Sequence, residues 1–270
     1  MATLPWRRLI SEYEADLRAL FHAYQVLGRE GLADAELSRR FEQAAERVAS
    51  RMVTGLSRVN YRNWREAAFK SGNGKRIFAG LKGELAETHV RRTLERIARE
   101  NARLITSVPQ TVARVITTKA IEAQAGGKRS SEIESELREL APRLGEAKIR
   151  LIARTEISKA ETAITQTRSQ QIGANWYQWS TSEDERVRKS HRNMDKVLVA
   201  WDDAPSPEAL IGEHNYGRYH SGSTFNCRCV SLPIITLDEI SFPARVYRGG
   251  VIARMNRRDF GRIAGLPLAA

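Results

Sequence analysis

Residues 173–201 read GANWYQWSTSEDERVRKSHRNMDKVLVAW, and residues 225–233 read FNCRCVSLP. These stretches decide the fold, because the pattern of the chain changes where the first begins. Trp176, Tyr177, Trp179 and Trp201 cluster there, and Gly, Pro, Asn and Asp become dense. The apolar runs shorten to residues 197–201, 229–232 and 234–235. Runs of that length between turn residues suit short strands and loops better than helices.

Upstream of Gly173 the chain reads as helix after helix. Leu9, Tyr13, Leu17, Leu20, Phe21 and Tyr24 recur at helical spacing over residues 5–28, which Gly28 and Gly31 close. A second helix is expected over residues 33–59. A short one over 63–70 ends at the turn Ser71-Gly72-Asn73-Gly74. A long helix over 80–106 carries Val90, Leu94, Ile97, Asn101 and Leu104 on one stripe. Its arginines, Arg91, Arg92, Arg96, Arg99 and Arg103, share the remaining surface with Glu87, Glu95 and Glu100. Pairs four apart, such as Glu87–Arg91 and Glu95–Arg99, favour an ordinary amphipathic helix over a DNA-contacting face. Pro109 is expected to break this run, and Gly126-Gly127 to end the helix that follows it. Ser131 with Glu134 fits a capping box. After Pro142 a last helix carries Ile149, Ala153, Ile157, Ala160 and Ile164.

The expected fold class is α+β and predominantly α-helical. A helical domain occupies residues 1–145, and a small α+β domain with few short strands occupies 146–240. The helix over 144–172 leads into this second domain, and residues 241–270 form a basic flexible tail.

Hydrophobic residues make up 41% of the chain and charged residues 28%, a core-forming rather than a disordered composition. The net charge of +12 is unusual. It favours an anionic neighbour, either nucleic acid or a charged surface. Its densest part lies from residue 244 onward, where Arg245, Arg248, Arg254, Arg257, Arg258 and Arg262 face one acid, Asp259. Those six arginines are the candidate DNA contacts, holding phosphate without reading bases. No apolar run approaches the ~20 residues that span a bilayer. Residues 1–8 lead into charged helical sequence with no apolar signal core, so a cytosol-like compartment is expected.

Cys227 and Cys229 are poorly placed to bond each other, because a disulfide needs a particular Cα separation and Cβ direction. Two readings stand for them. In one they supply two thiolates to a tetrahedral Zn²⁺, with His191 and either His220 or His214 completing Cys₂His₂. In the other they are small buried residues among polar-loop histidines. The run Glu183-Asp184-Glu185-Arg186-Val187-Arg188 also has two readings. It is a solvated loop, or Asp184, Arg186 and Arg188 form an ion-pair network that holds the His191 loop against the helix of Arg154 and Glu156. Enzyme readings fit less well. Ser180-Thr181-Ser182 and Glu183-Asp184-Glu185 match ADP-ribosyltransferase signatures only as contiguous residues, whereas those signatures sit on separate strands. A metal-dependent nuclease would use His191 to activate water, with His220 and Asn226 on a divalent ion, but lacks the carboxylates Mg²⁺ prefers. Cys229 as a nucleophile lacks an orienting third group.

Taken in order, Ala153-Arg154-Thr155-Glu156, Arg168, Gly173, Trp179, Asp184, Arg186, Arg188, His191 and Phe225-Asn226-Cys227-Arg228-Cys229 resemble the C-terminal domain of the phage Mu protein F-like family of minor head proteins. The resemblance covers about eighty residues, 151–233. It implies a minor capsid or head morphogenesis protein that binds the portal or inner capsid and contacts packaged double-stranded DNA. Such a protein resides in the virion after assembly in the host cytoplasm, and catalysis is not expected of it. Two departures stand out. Lys196 falls where relatives often have a turn glycine, so a turn without positive φ is expected. Residues 213–221 are polar and aromatic where relatives often have a shorter Pro-Gly loop.

Overall fold

The computed structural model describes residues 6–29, 34–70, 74–83, 88–125 and 130–266. Five helices come first: α1 (Arg7–Arg29), α2 (Asp34–Lys70), α3 (Gly74–Gly83), α4 (Thr88–Ala125) and α5 (Ser130–Gln171). Helices α1, α2, α4 and α5 pack into a bundle, with α3 against α2. The turns expected at Gly31, residues 71–73 and Gly126-Gly127, Glu87, and the side chains of Ser131 and Glu134, lie outside the described residues.

The bundle core follows the apolar stripes. Tyr13 and Leu17 meet Phe41, Ala45, Ala49, Met52 and Leu56, then Ile97 and Ile105, then Ile149, Ala153, Ile157, Ala160 and Ile164. Spacings of three and four place each set on one helix face. The alanines let ridges of one helix settle into grooves of the next. Asn101, on the expected α4 stripe, is fully buried. It accepts a hydrogen bond from the Tyr13 hydroxyl and donates one to Glu156 at 3.5 Å.

Three expected helix breaks are absent. Helix α2 is continuous where two helices were expected, because Trp64 and Ala68 pack with Ile77 and Leu81 of α3. Helix α4 runs through Pro109, and α5 runs through both Pro142 and the expected domain boundary at 145/146. A proline inside a helix costs about 3 kcal/mol. Around Pro109 that cost is offset by the burial of Ile105 and Val108 in the bundle core. Packing, more than propensity, decides helix continuity.

A five-stranded sheet follows, with strands β1 (Trp176–Ser180), β2 (Leu198–Ala200), β3 (Val230–Pro233), β4 (Ala244–Arg248) and β5 (Val251–Met255). Helix α6 (Lys189–Met194) lies between β1 and β2, and α7 (Arg257–Ala264) follows β5. The strand order is β3-β1-β2-β4-β5; β2 and β4 are parallel and the other pairs antiparallel. Alternation sorts the side chains onto two faces. Trp176, Leu198, Ala200, Ala244 and Val246 pack against Phe260 of α7. Tyr177, Trp179, Val199, Trp201 and Tyr247 form the other face with Met194, Cys227 and Cys229.

Residues 244–266 are folded, which corrects the expected flexible tail. Gly249 and Gly250, both at positive φ, make the two-residue turn of a hairpin whose strands are β4 and β5. Asn256 caps α7 by accepting from the Asp259 N–H, and Gly265 ends that helix at φ +64°. Phe260 anchors it, fully buried and edge-on to Trp176 at 5.2 Å between ring centroids. The arginines expected on one tail are consequently divided. Arg245 donates to Asn193, Arg257 pairs with Asp238, and Arg262 pairs with Asp259. Arg248, Arg254 and Arg258 are exposed, with no acidic partner among the described residues.

Candidate functional site

Helix α5 carries two stripes. Its apolar stripe enters the bundle. Its second stripe, Thr155, Ser158 and Thr162, is buried and turned to the loop before β3. Thr155 Oγ1 accepts from the Asn226 N–H at 3.2 Å, Ser158 Oγ donates to the Cys227 carbonyl at 3.3 Å, and Thr162 Oγ1 donates to the Ser221 carbonyl at 2.7 Å. Gly222 lets that loop approach. It stands at φ +83°, and a Cβ there would meet Thr162 Oγ1 at 2.5 Å. The helix thus pins the cysteine loop by hydroxyls spaced three and four apart.

The pinned loop brings Cys227 and Cys229 to His191, whose helix α6 is held in the sheet's apolar face by Met194. His191 Nδ1 lies 3.4 Å from Cys229 Sγ and 3.6 Å from Cys227 Sγ. All three donor atoms lie within 4.8 Å of one another, on side chains only 2–4% exposed as residues. The other ring nitrogen, Nε2, is 3.0 Å from the Tyr219 hydroxyl. That hydroxyl donates to Glu208 Oε1 at 2.6 Å, and Ser190 Oγ donates to the same oxygen at 3.0 Å. Because the Tyr219 proton points to Glu208, Tyr219 accepts from His191 Nε2–H. The Nδ1 lone pair therefore faces the two sulfurs. Trp179 stands edge-on to the imidazole at 5.6 Å between centroids.

The electrostatics follow from this crowding. The hydrogen bond from Cys229, aided by His191, draws the Cys227 thiol well below its usual range, against burial. The same pairing with Cys227, followed by burial, pushes Cys229 up. Burial, then Glu208, pushes the Tyr219 phenol up, so it stays a donor. Glu208 is buried, and its Oε2 has no hydrogen-bond partner.

His220 does not join this group, which corrects the expected Cys₂His₂ set. Its Nδ1 is 3.1 Å from the Tyr177 hydroxyl and its ring packs on Trp201. Burial lowers its pKa to about 4. His214 is exposed beside Tyr216. The nuclease arrangement is likewise not assembled, since His220 is engaged with Tyr177 and Asn226 is exposed, tied by its backbone to Thr155. Ser180 ends β1 and residues 181–185 continue it as a loop, so the two ADP-ribosyltransferase-like signatures stay contiguous.

The expected ion-pair network takes a different form. Asp184 forms a two-pronged pair with Arg228, and its carboxylate also accepts from the Arg186 N–H at 3.0 Å. Arg188 donates to the Phe225 carbonyl at 2.9 Å and lies over the Phe225 ring at 4.4 Å. Both contacts clamp the cysteine loop to residues 184–188. Glu156 instead bonds Asn101 and Lys159, and Arg154 is exposed. Arg168, near the end of α5, is buried against α2, donating to Asn60 and to Ser57. On α4, Arg91 pairs with Glu95 and Arg96 with Glu100. Lys196 takes φ +60°, so the turn has the left-handed conformation that a glycine would suit. Its N–H donates to the Trp179 carbonyl at 2.8 Å, which locks β1 to that turn.

Sequence reasoning missed Tyr219, Glu208, Ser190 and the hydroxyl stripe. Tyr219 falls in the polar, aromatic stretch at 213–221 that departs from the family. The stripe was legible as Thr155, Ser158 and Thr162 at helical spacing.

Comparison with known proteins bears on these same elements. A protein of Haemophilus influenzae described only as uncharacterized is 30% identical over 139 residues, covering 52% of this chain and 29% of that protein. The chain thus spans less than a third of that relative's length. No solved structure matches. The family model described as Phage Mu protein F like protein matches residues 114–232, the span that runs from the second half of α4 through α5 and the histidine helix to the cysteines and β3. The region that builds the site is thus similar to the Phage Mu protein F like family.

Proposed function

We propose that this chain is a minor head protein of a tailed phage, attached to the portal or inner capsid and touching packaged DNA without reading its sequence. The observation that carries the reading is the family match over residues 114–232, which coincides with the pinned cysteine loop and its supporting helix. The family points to phage head morphogenesis, and hence to a virion location and a structural role. The chemistry of the site agrees with such a role. His191, Cys227 and Cys229 are buried on the sheet face. No described helix is long and apolar enough to cross a membrane.

The phosphate contacts in this reading are Arg248, Arg254 and Arg258, which stand free on the hairpin and α7. Each phosphate neutralised contributes about −0.9 to the slope of log affinity against log salt. Replacing all three arginines with alanine therefore flattens that slope by up to about 3. A DNA affinity that does not fall as salt rises removes the DNA contact from the proposal. Co-expression with a tailed-phage portal protein and major capsid protein tests the rest, with co-purification as the expected result. Degradation of plasmid with divalent ions by the wild type, lost in His191→Ala, would favour a nuclease instead.

A further inference from the structure

We propose that His191 Nδ1, Cys227 Sγ and Cys229 Sγ are three protein ligands of a structural Zn²⁺ ion, with the imidazole positioned by Tyr219 and Glu208.

The spacing is the first argument. Zinc binds sulfur at about 2.3 Å and imidazole nitrogen at about 2.0–2.1 Å, and a tetrahedral angle between them sets S···N at about 3.5 Å. The two observed separations are 3.4 and 3.6 Å. The same geometry puts the sulfurs about 3.8 Å apart, and all three donor atoms lie within 4.8 Å.

The hydrogen-bond count is the second. Two buried thiols and one Nδ1 lone pair converge with only weak thiol hydrogen bonds, Cys229 to Cys227 and either sulfur to His191, to hold them together. A dication replaces these weak bonds with metal–ligand bonds. Each thiol gives its proton to solvent, both thiolates bind the ion, and the neutral imidazole donates its lone pair. The +2 charge then balances two buried thiolates.

The third is the support behind the histidine. Ligating imidazoles almost always donate their other N–H to a carboxylate, a carbonyl or a water, which fixes tautomer and ring orientation. Here Nε2–H is held by Tyr219, itself held by the buried Glu208. This is a carboxylate–imidazole arrangement extended by one phenol. Among the described residues no further His, Cys, Asp or Glu joins the group. The site is structural because it joins α6 to a loop that α5 already pins.

Metal analysis of the isolated chain, purified without chelator and dialysed, tests this independently of any role in a phage head. The expected result is about one zinc per chain. Substituting Co²⁺ should give the intense ultraviolet thiolate-to-cobalt band and visible absorption of a tetrahedral site. Cys227→Ser and Cys229→Ser should each weaken both the band and metal affinity, and the double variant should abolish the band. Tyr219→Phe should keep it and weaken metal affinity about 10–100-fold, while His220→Ala should leave both stoichiometry and spectrum unchanged. If the serine variants fail to fold, the wild-type cobalt spectrum decides alone, because its charge-transfer band requires thiolates. A wild-type chain without metal that also fails to take up added Zn²⁺ or Co²⁺ overturns the proposal. Loss of metal in His220→Ala overturns the ligand assignment.

Discussion

Replacing Glu161 with glutamine should change how the stability of this protein depends on pH. Glu161 is buried on α5, where its carboxylate accepts from Thr165 at 2.9 Å and from Asn60 at 3.3 Å. Burial pushes its pKa up from 4.5 to about 7, against those two hydrogen bonds and the attraction of Arg168. In the unfolded chain the carboxyl reverts to its ordinary value, so the folded state holds the extra proton between the two values. The stabilising contribution is therefore complete below about pH 4.5 and is lost as pH rises through about 7. A displacement of that size corresponds to roughly 3 kcal/mol, most of it expressed between about pH 5 and pH 8. Glutamine keeps the shape and an acceptor oxygen but does not titrate. Urea denaturation followed by tryptophan fluorescence, with both proteins at both pH values, isolates this residue because every other titrating group is shared. The variant should gain about 2–3 kcal/mol on wild type between the acid and the alkaline measurement. A stability difference that is the same at both pH values would refute the reasoning.

Two further outcomes follow from the folded C-terminal segment and its neighbours. Phe260→Ala should cost about 3–5 kcal/mol in denaturant melts, as for any large core truncation, whereas a flexible tail would show no cost. Lys196→Gly should stabilise the protein by up to about 1 kcal/mol, because glycine occupies φ > 0 without the Cβ clash; a destabilised variant in the same melts would show that the lysine side chain contributes there.

The bundle was legible because its signal is periodic. Tyr13 and Leu17, the α4 stripe and the Ile149-to-Ile164 stripe all lie where helical spacing places them. Helix ends were less legible. Pro109 and Pro142 are strong local breakers, but buried neighbours such as Ile105 and Val108 act through contacts that local sequence does not display. The C-terminal hairpin was present in the sequence as Gly249-Gly250 between alternating residues. It was masked by arginine density, which speaks to charge and not to order. At the site, His191, Cys227 and Cys229 could be nominated from residue chemistry alone. His220 was nominated on the same grounds, yet its ring belongs to the Tyr177–Trp201 cluster. Which histidine turns toward the thiols depends on α6 and on the Tyr219 loop, and both are tertiary facts. The Asp184–Arg228 clamp shows the same limit, since it joins residues 44 apart.

The proposed place of this chain in a phage head is tested most directly by quantitative mass spectrometry of particles purified from cells that produce them. Peptides from both the helical bundle and the sheet region should appear beside portal protein, at a stoichiometry well below that of the major capsid subunit. Particles that are complete and carry portal protein, but yield no peptide of this chain while it is abundant in the cell lysate, would contradict the account.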